Sequence, residues 1–376
     1  MAAPAPNGLT AREIAQMLNE QVDTLAPLLL PNGRAIGPYF CVGSVDGEPG
    51  DSLKIHLRGL KRGKWSDFSR SSQERGGSGD MLTIVELTMA GGDKGEAVRW
   101  AKGWLGIGDG IDPGKLERQR RRAAESRKRA EDEAASDAER RRRNAEGLWQ
   151  HATPLGEAPP GLAYFKGRGI DFAQLGRIPR AMRYRGDVRH FETGQTYPAI
   201  LSAMIGLDGR HMATHATFIE RLGDGSWVKL RGVESAKLIY GAPKGAHIPL
   251  SKGTRRETLR LIPPGTPVEV SEGIEDGLSV ALAFPELRVL AAGTLGNIGA
   301  LRLPATAGDL TIIAQRDAPG SKAEATLEKC IAEQQLAGVR DGSQRRVLLR
   351  WPGEGFKDFN DQLRGVRMVR DGSGCA

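Results

Sequence analysis

The chain has 376 residues, with 54 Lys and Arg against 46 Asp and Glu, a formal net charge of +8, and only 5% aromatic residues. That length exceeds one typical domain and allows two or three cores, while no apolar run, Thr24–Pro31 and Leu278–Phe284 included, approaches the roughly 20 residues needed to span a bilayer. The three scattered cysteines, Cys41, Cys330 and Cys375, exclude a disulfide framework and a Cys-x-x-Cys zinc knuckle.

In residues 1–110, Thr10 and Glu13 have capping-box spacing and predict a helix from Thr10. Strands are expected at Tyr39–Val45, Leu53–Leu57 and Lys64–Phe68, then helices at Asp80–Met89 and Lys94–Leu105, which makes a small α+β domain. The opening residues lack a secretory-signal pattern, so a cytoplasmic location is expected. Residues 111–147 mix Ala with dense charge and offer almost no core-facing residue. This segment reads as a solvated helix or charged linker; the alternative is direct nucleic-acid contact through Arg120–Arg122 or Arg140–Arg143.

Residues 148–265 alternate strand-like runs with Asp-Gly turns: Tyr197–Ile205, Asp208-Gly209, His211–Ile219, Asp224-Gly225, Trp227–Leu230. That is a meander pattern and marks a second α+β domain. After Ile262-Pro-Pro-Gly-Thr-Pro, residues 266–376 alternate the strands Val268–Val270, Arg288–Ala292, Leu310–Ala314 and Arg346–Arg350 with helices at 274–284, 297–302 and 321–337. The expected fold there is α/β, a mostly parallel sheet flanked by helices.

Ligands of such sheets sit beyond the carboxyl ends of the strands, so acids that follow a strand are the candidates for chemistry. Glu272, Asp317 and the pair Asp358 and Asp361 qualify. Acids converging from three strand ends suit a magnesium site for phosphoryl chemistry. Glu275 and Asp276 read instead as first-turn residues favoured by the helix dipole, and Asp361 is either a site acid or the cap of the following helix. The surplus positive charge suggests a polyanionic partner.

Residues 265–366 resemble the Toprim domain shared by DnaG-type primases, topoisomerases and some nucleases. The resemblance is carried by Ser271-Glu-Gly-Ile-Glu-Asp-Gly-Leu-Ser, Ile312-Ile-Ala-Gln-Arg-Asp-Ala-Pro-Gly and Gly355-Phe-Lys-Asp-Phe-Asn-Asp-Gln-Leu. In the family the second motif is Asp-x-Asp followed by Gly; here Gln315 takes the first place, while Asp317 and Gly320 fit. Upstream, Ala163-Tyr-Phe-Lys-Gly-Arg-Gly-Ile, Tyr197-Pro-Ala-Ile and Lys237-Leu-Ile-Tyr-Gly resemble the primase polymerase core. The N-terminal region is similar to the zinc-ribbon module of primases without its Cys and His ligands. That implies a zinc-free version packed on Trp65, Phe68, Leu82, Ile84 and Trp100, with His56 facing solvent.

The resemblance implies a DNA primase of bacterial, phage or plasmid type that joins nucleoside triphosphates on single-stranded DNA. It makes Glu272 the acid at the transferring phosphate, Asp317 the principal ligand of Mg²⁺ or Mn²⁺, Asp358 an outer ligand and Gln315 a neutral one. Arg316 either repels the metal or contacts a substrate phosphate, and Lys166, Arg168, Lys229, Arg231 and Lys237 line a groove for template or nucleotide. No zinc and no membrane are expected. No P-loop is present, so a replicative helicase would act in trans. Two other readings stay open: a catalytically weakened DNA-binding replication accessory, which Gln315 favours, and a Toprim nuclease.

Overall fold

The computed structural model describes residues 9–71, 74, 76–107, 113–254 and 257–368; Cys375 and the side chains of Arg120 and Arg122 lie outside the described residues. The chain divides into two compact units, Met1–Asp137 and Ala138–Ala376. No helix among the described residues is long and apolar enough to cross a membrane.

The first unit opens with α1 (Ala11–Glu20), started by the expected capping box: Glu13 N–H donates to Thr10 Oγ1 at 3.2 Å and Thr10 N–H to Glu13 Oε2 at 2.9 Å. Ile14, Ala15, Met17 and Leu18 form its buried stripe. A second helix, not among the expected elements, follows: α2 (Val22–Leu29), with Pro27 inside it. Burial of Val22, Leu25, Ala26 and Leu29 holds the helix despite the proline.

An antiparallel sheet comes next, β1 (Arg34–Ile36), β2 (Tyr39–Val42), β3 (Leu53–His56), β4 (Trp65–Asp67) and β5 (Ser78–Gly79), each strand paired with the next. Helices α3 (Met81–Thr88) and α4 (Lys94–Trp104) are capped by the carboxylates of Asp80 and Asp93. Trp65 is 2% exposed in the core beside Ile55, Met81 and Ile84, and its Nε1 donates to Asp80 O at 3.0 Å. One expectation fails here. Phe68 is 75% exposed beyond the end of β4, so it takes no part in the core. His56 shares the outer, less buried face of β3 with Lys54, edge-on against Tyr39 at 4.9 Å between ring centroids.

Helix α5 (Pro113–Gln150) covers the charged segment. Toward its end Arg142 is ion-paired with Glu139 and Glu146 and donates to His211 O at 3.0 Å, which binds this stretch into the second unit.

The second unit holds two sheets. The first contains β6 (Thr153–Pro154), then, after α6 (Pro159–Gly167) and α7 (Phe172–Leu175), β7 (Met182–Arg189), β8 (Thr196–Ile205), β9 (His211–Arg221) and β10 (Trp227–Lys229). The expected meander is present, with Gly209 and Gly225 at φ of 84° and 85° in its Asp-Gly turns, a conformation open to glycine. Strand β11 (Lys237–Gly241) also pairs with β9, continuing along the edge that β10 occupies.

The second sheet has the order β12-β14-β13-β15-β16, from β12 (Ile248–Lys252), β13 (Thr266–Ser271), β14 (Arg288–Ala291), β15 (Ala307–Ile313) and β16 (Val347–Arg350). All pairings are parallel except β12 with β14. The crossovers are α8 (Ile274–Ala283), α9 (Leu295–Ala300) and α10 (Lys322–Arg340), and α11 (Phe359–Arg364) closes the chain. This is the α/β architecture read from the sequence, with β12 added from before residue 266. Ile200 and Met204 of β8 share a core with Leu278 and Val280 of α8 and Ile313 of β15, so the two sheets are held against one another.

Candidate active site

Strand β13 is buried through Val268 and Val270, and the chain leaves the sheet at Ser271. The turn into α8 is tight: a Cβ on Gly277 would lie 2.5 Å from both Ser271 Oγ and Leu250 Cδ1, so only glycine lets the helix approach. Glu272 is left half-buried at the strand end, and Glu275 and Asp276 fall in the first turn of α8.

These acids line a cavity of about 250 Å³ shared with Arg168, Lys229, Lys237, Gln315, Asp358 and Asn360. One wall is basic. In the register of β9, Lys229 lies opposite Ile219 and Lys237 opposite Thr217, two residues apart, so both lysines stand on one face of the sheet. Their ammonium groups meet the Glu275 carboxylate at 3.0 and 3.3 Å, and Tyr164 Oη donates to it at 2.7 Å. Burial alone would raise the Glu275 pKa, but Lys237, Lys229 and the tyrosine outweigh it and hold the carboxylate well below its usual range. Arg168 adds a third cation, with its Nε buried and unpartnered.

The other wall is acidic. Asp276 accepts from Gln315 Nε2 at 2.7 Å and from Asn360 N–H at 3.1 Å. Burial, reinforced by the charge of Asp358, still lifts its pKa to about 7. Glu272 is also raised, chiefly by burial, with Lys237 and the Leu295 amide opposing and Asp317 assisting. Asp317 is exposed and meets Glu272 at an adjoining crevice beside Leu295 and Gln315.

The structure therefore brings together Glu272, Gln315, Asp358, Arg168, Lys229 and Lys237 of the residues expected from the sequence, with Asp317 at the margin. It does not bring the others. Lys166 is exposed beside a separate hollow near Phe172, and Arg231 is ion-paired with Glu220 at 2.7 Å. Arg316 donates to Pro352 O at 2.9 Å and lies over the Trp351 ring, outside the lining of the cavity. The cap of α11 is Asp358, which accepts from Asp361 N–H at 2.7 Å; Asp361 sits within the first turn. Glu275 and Asp276 are first-turn residues as read, yet they form the centre of the cavity. Their signal was the buried surroundings of α8, which the apolar residues on all its sides foreshadowed.

Among the described residues no three His, Cys, Asp or Glu side chains converge to hold a metal ion, and the Gln315 amide is engaged as a donor to Asp276. The carboxylates as arranged do not fit the expected magnesium cage.

Residues 268–366 match the family described as Toprim domain, and residues 139–250 match one described as a domain of unknown function (DUF7146). Among solved structures, the chain is similar to the Aquifex aeolicus primase comprising its zinc-binding and RNA polymerase domains. The two are 14% identical over 94% of this chain and 82% of that one, with a TM-score of 0.37. It is also similar to the E. coli primase catalytic core (12% identical, 59% and 74% covered, TM-score 0.38). A third is the RNA polymerase domain of Mycobacterium tuberculosis primase DnaG (16% identical, 62% and 82% covered, TM-score 0.36). No curated protein matches the chain.

Proposed function

Residues 268–366 are a Toprim domain, and from that premise we propose that the protein is a DNA primase, a template-directed nucleotidyltransferase making primers on single-stranded DNA. The observation that carries the reading is the two-sided cavity, with Glu272 and Asp276 on one wall and Lys229, Lys237 and Arg168 on the other. Cations positioned without base-specific geometry suit the phosphates of a nucleoside triphosphate or a single strand.

In the reaction a 3′-hydroxyl attacks the α-phosphorus of the incoming triphosphate. A new phosphorus–oxygen bond forms, the bond between the α-phosphorus and the bridging oxygen breaks, and pyrophosphate leaves. The hydroxyl proton passes to the Glu272 carboxylate, whose raised pKa brings it nearer the working pH of a general base. The lysines take the charge of the phosphate tail. Asp317, at the margin, and Asp358, at the cap of α11, complete the acidic rim. The chain would work with a separate replicative helicase.

One observation favours a second reading, a DNA-binding replication accessory with weakened catalysis: amides occupy positions 315 and 360 and no three-ligand metal group is formed among the described residues. The two readings separate in one experiment. The full chain is incubated with single-stranded templates, labelled ribo- or deoxyribonucleotides, and Mg²⁺ or Mn²⁺. Short labelled products are expected. Salt-sensitive DNA binding with no product in either metal would establish the accessory instead.

A further inference from the structure

The cavity contains a buried charge that the proposed reaction does not use. Glu275 is 7% exposed at its side chain, whereas Lys229 and Lys237 are 36% and 35% exposed. Tyr164, from α6, is 1% exposed. The four groups are layered by depth: the tyrosine hydroxyl and the carboxylate are the more deeply buried, and the two ammonium groups are the more exposed. Two like charges on neighbouring strands would otherwise repel and swing apart into solvent, since long lysine stems have many rotamers. The carboxylate between them cancels one charge and leaves one, at two fixed points.

We infer that Glu275 is a positioning residue that clamps Lys229 and Lys237 into a preorganised pair gripping the triphosphate tail of the incoming nucleotide, with Tyr164 fixing the carboxylate from beneath. The inference rests on the nucleotidyl-transfer reading for its substrate. Its geometry is independent of that reading: Lys229 and Lys237 come from β10 and β11, Glu275 from α8 and Tyr164 from α6, and the ion pairs and the tyrosine hydrogen bond join three parts of the unit. A carboxylate beneath a phosphate site could instead repel the ligand. The preorganised pair predicts weaker binding when the carboxylate is neutralised; repulsion predicts tighter binding.

The experiment uses the full chain and inorganic tripolyphosphate, followed by calorimetry without added metal. E275Q is expected to weaken binding by about tenfold, the loss typical of a charge-assisted hydrogen bond, and E275D to recover most of it. Adding E275Q to K229Q/K237Q should change binding no further, because the glutamate acts only through the lysines. In primer synthesis, E275Q should raise KM for the nucleotide by about the same factor and leave kcat within about twofold, the pattern of lost ground-state binding.

Unchanged or tighter tripolyphosphate binding by a folded E275Q protein overturns the inference. Should E275Q fail to fold, Y164F decides: a loss of about threefold is expected for one removed hydrogen bond, and wild-type affinity overturns the inference. A wild-type chain that makes no primers but loses tripolyphosphate with E275Q retains the clamp and sinks the primase reading. Primer synthesis with an unchanged KM in E275Q does the reverse.

Discussion

The loops after β13 and after β15 occupy equivalent places, each leaving a buried parallel strand at its carboxyl end, yet they carry charge in opposite ways. After β13, Glu275 and Asp276 are both 5% exposed, and every charge has a partner drawn from another element. After β15, Asp317 is exposed, Arg316 is turned onto Pro352 and Trp351, and Gln315 reaches across to serve the first loop. The difference lies in what packs above each loop. The lysine-bearing strands and α6 supply partners to the β13 loop. Buried charge is tolerated only where partners are already in place, so the β13 loop can keep its carboxylates buried while Asp317 of the β15 loop stays exposed.

The largest expected effect is on Glu272. E272Q should lower primer synthesis by about 100-fold or more, the contribution of a positioned acid–base group, with single-stranded DNA binding unchanged in a filter or anisotropy assay. A residual rate near wild type would move the chemistry out of the β13 loop.

Q315D attacks the link between the loops. It replaces a donor by a second carboxylate beside Asp276, and an expected loss of about 1–3 kcal/mol at pH 8 follows from the broken hydrogen bond and like-charge repulsion. The sign with pH follows from Asp276. Its folded pKa of about 7 stands above the ordinary aspartate value of 3.8, so the native state binds the extra proton, and this group's contribution to stability falls as pH rises from about 4 to about 7. Thermal melts at pH 5 and pH 8 should therefore show the Q315D defect shrinking at pH 5, where Asp276 is protonated. A defect equal at both pH values would break the assignment.

D317N is expected to reduce the rate by only about tenfold, because an exposed carboxylate acts through a solvent-screened field. A loss as deep as that of E272Q would erase the contrast between the loops. Smallest of all, R316A should leave nucleotide KM unchanged and cost about 0.5–1 kcal/mol of stability through its carbonyl and ring contacts, read by denaturant unfolding. A raised KM would return Arg316 to the phosphate.

Much of this was legible in the linear chain. Alternating apolar runs and Asp-Gly turns marked the meander, the Thr10 and Glu13 spacing marked the first cap, and strand-then-acid patterning picked out Glu272. Each is a local signal, set by residues within one element and its turn. The exposure of Phe68 and the helix running through Pro27 were hidden, because burial against distant residues overrides local preference. So were the true positions of Arg231 and Arg316, whose partners Glu220 and Pro352 lie on other segments.

By itself, then, the sequence determined the order of elements, the parallel α/β class of the C-terminal region, and the strand ends where acids would gather. Only the tertiary structure decided which charges share a cavity. Lys229 and Lys237 face Glu275 because β10 and β11 follow one another along the same edge of β9, which sets the two lysines opposite Ile219 and Thr217, and the Asp276 pKa is raised because burial and the charge of Asp358 outweigh the hydrogen bonds from Gln315 and Asn360. Such pairings depend on distance and desolvation between segments far apart in the chain, and neither quantity is written in local sequence.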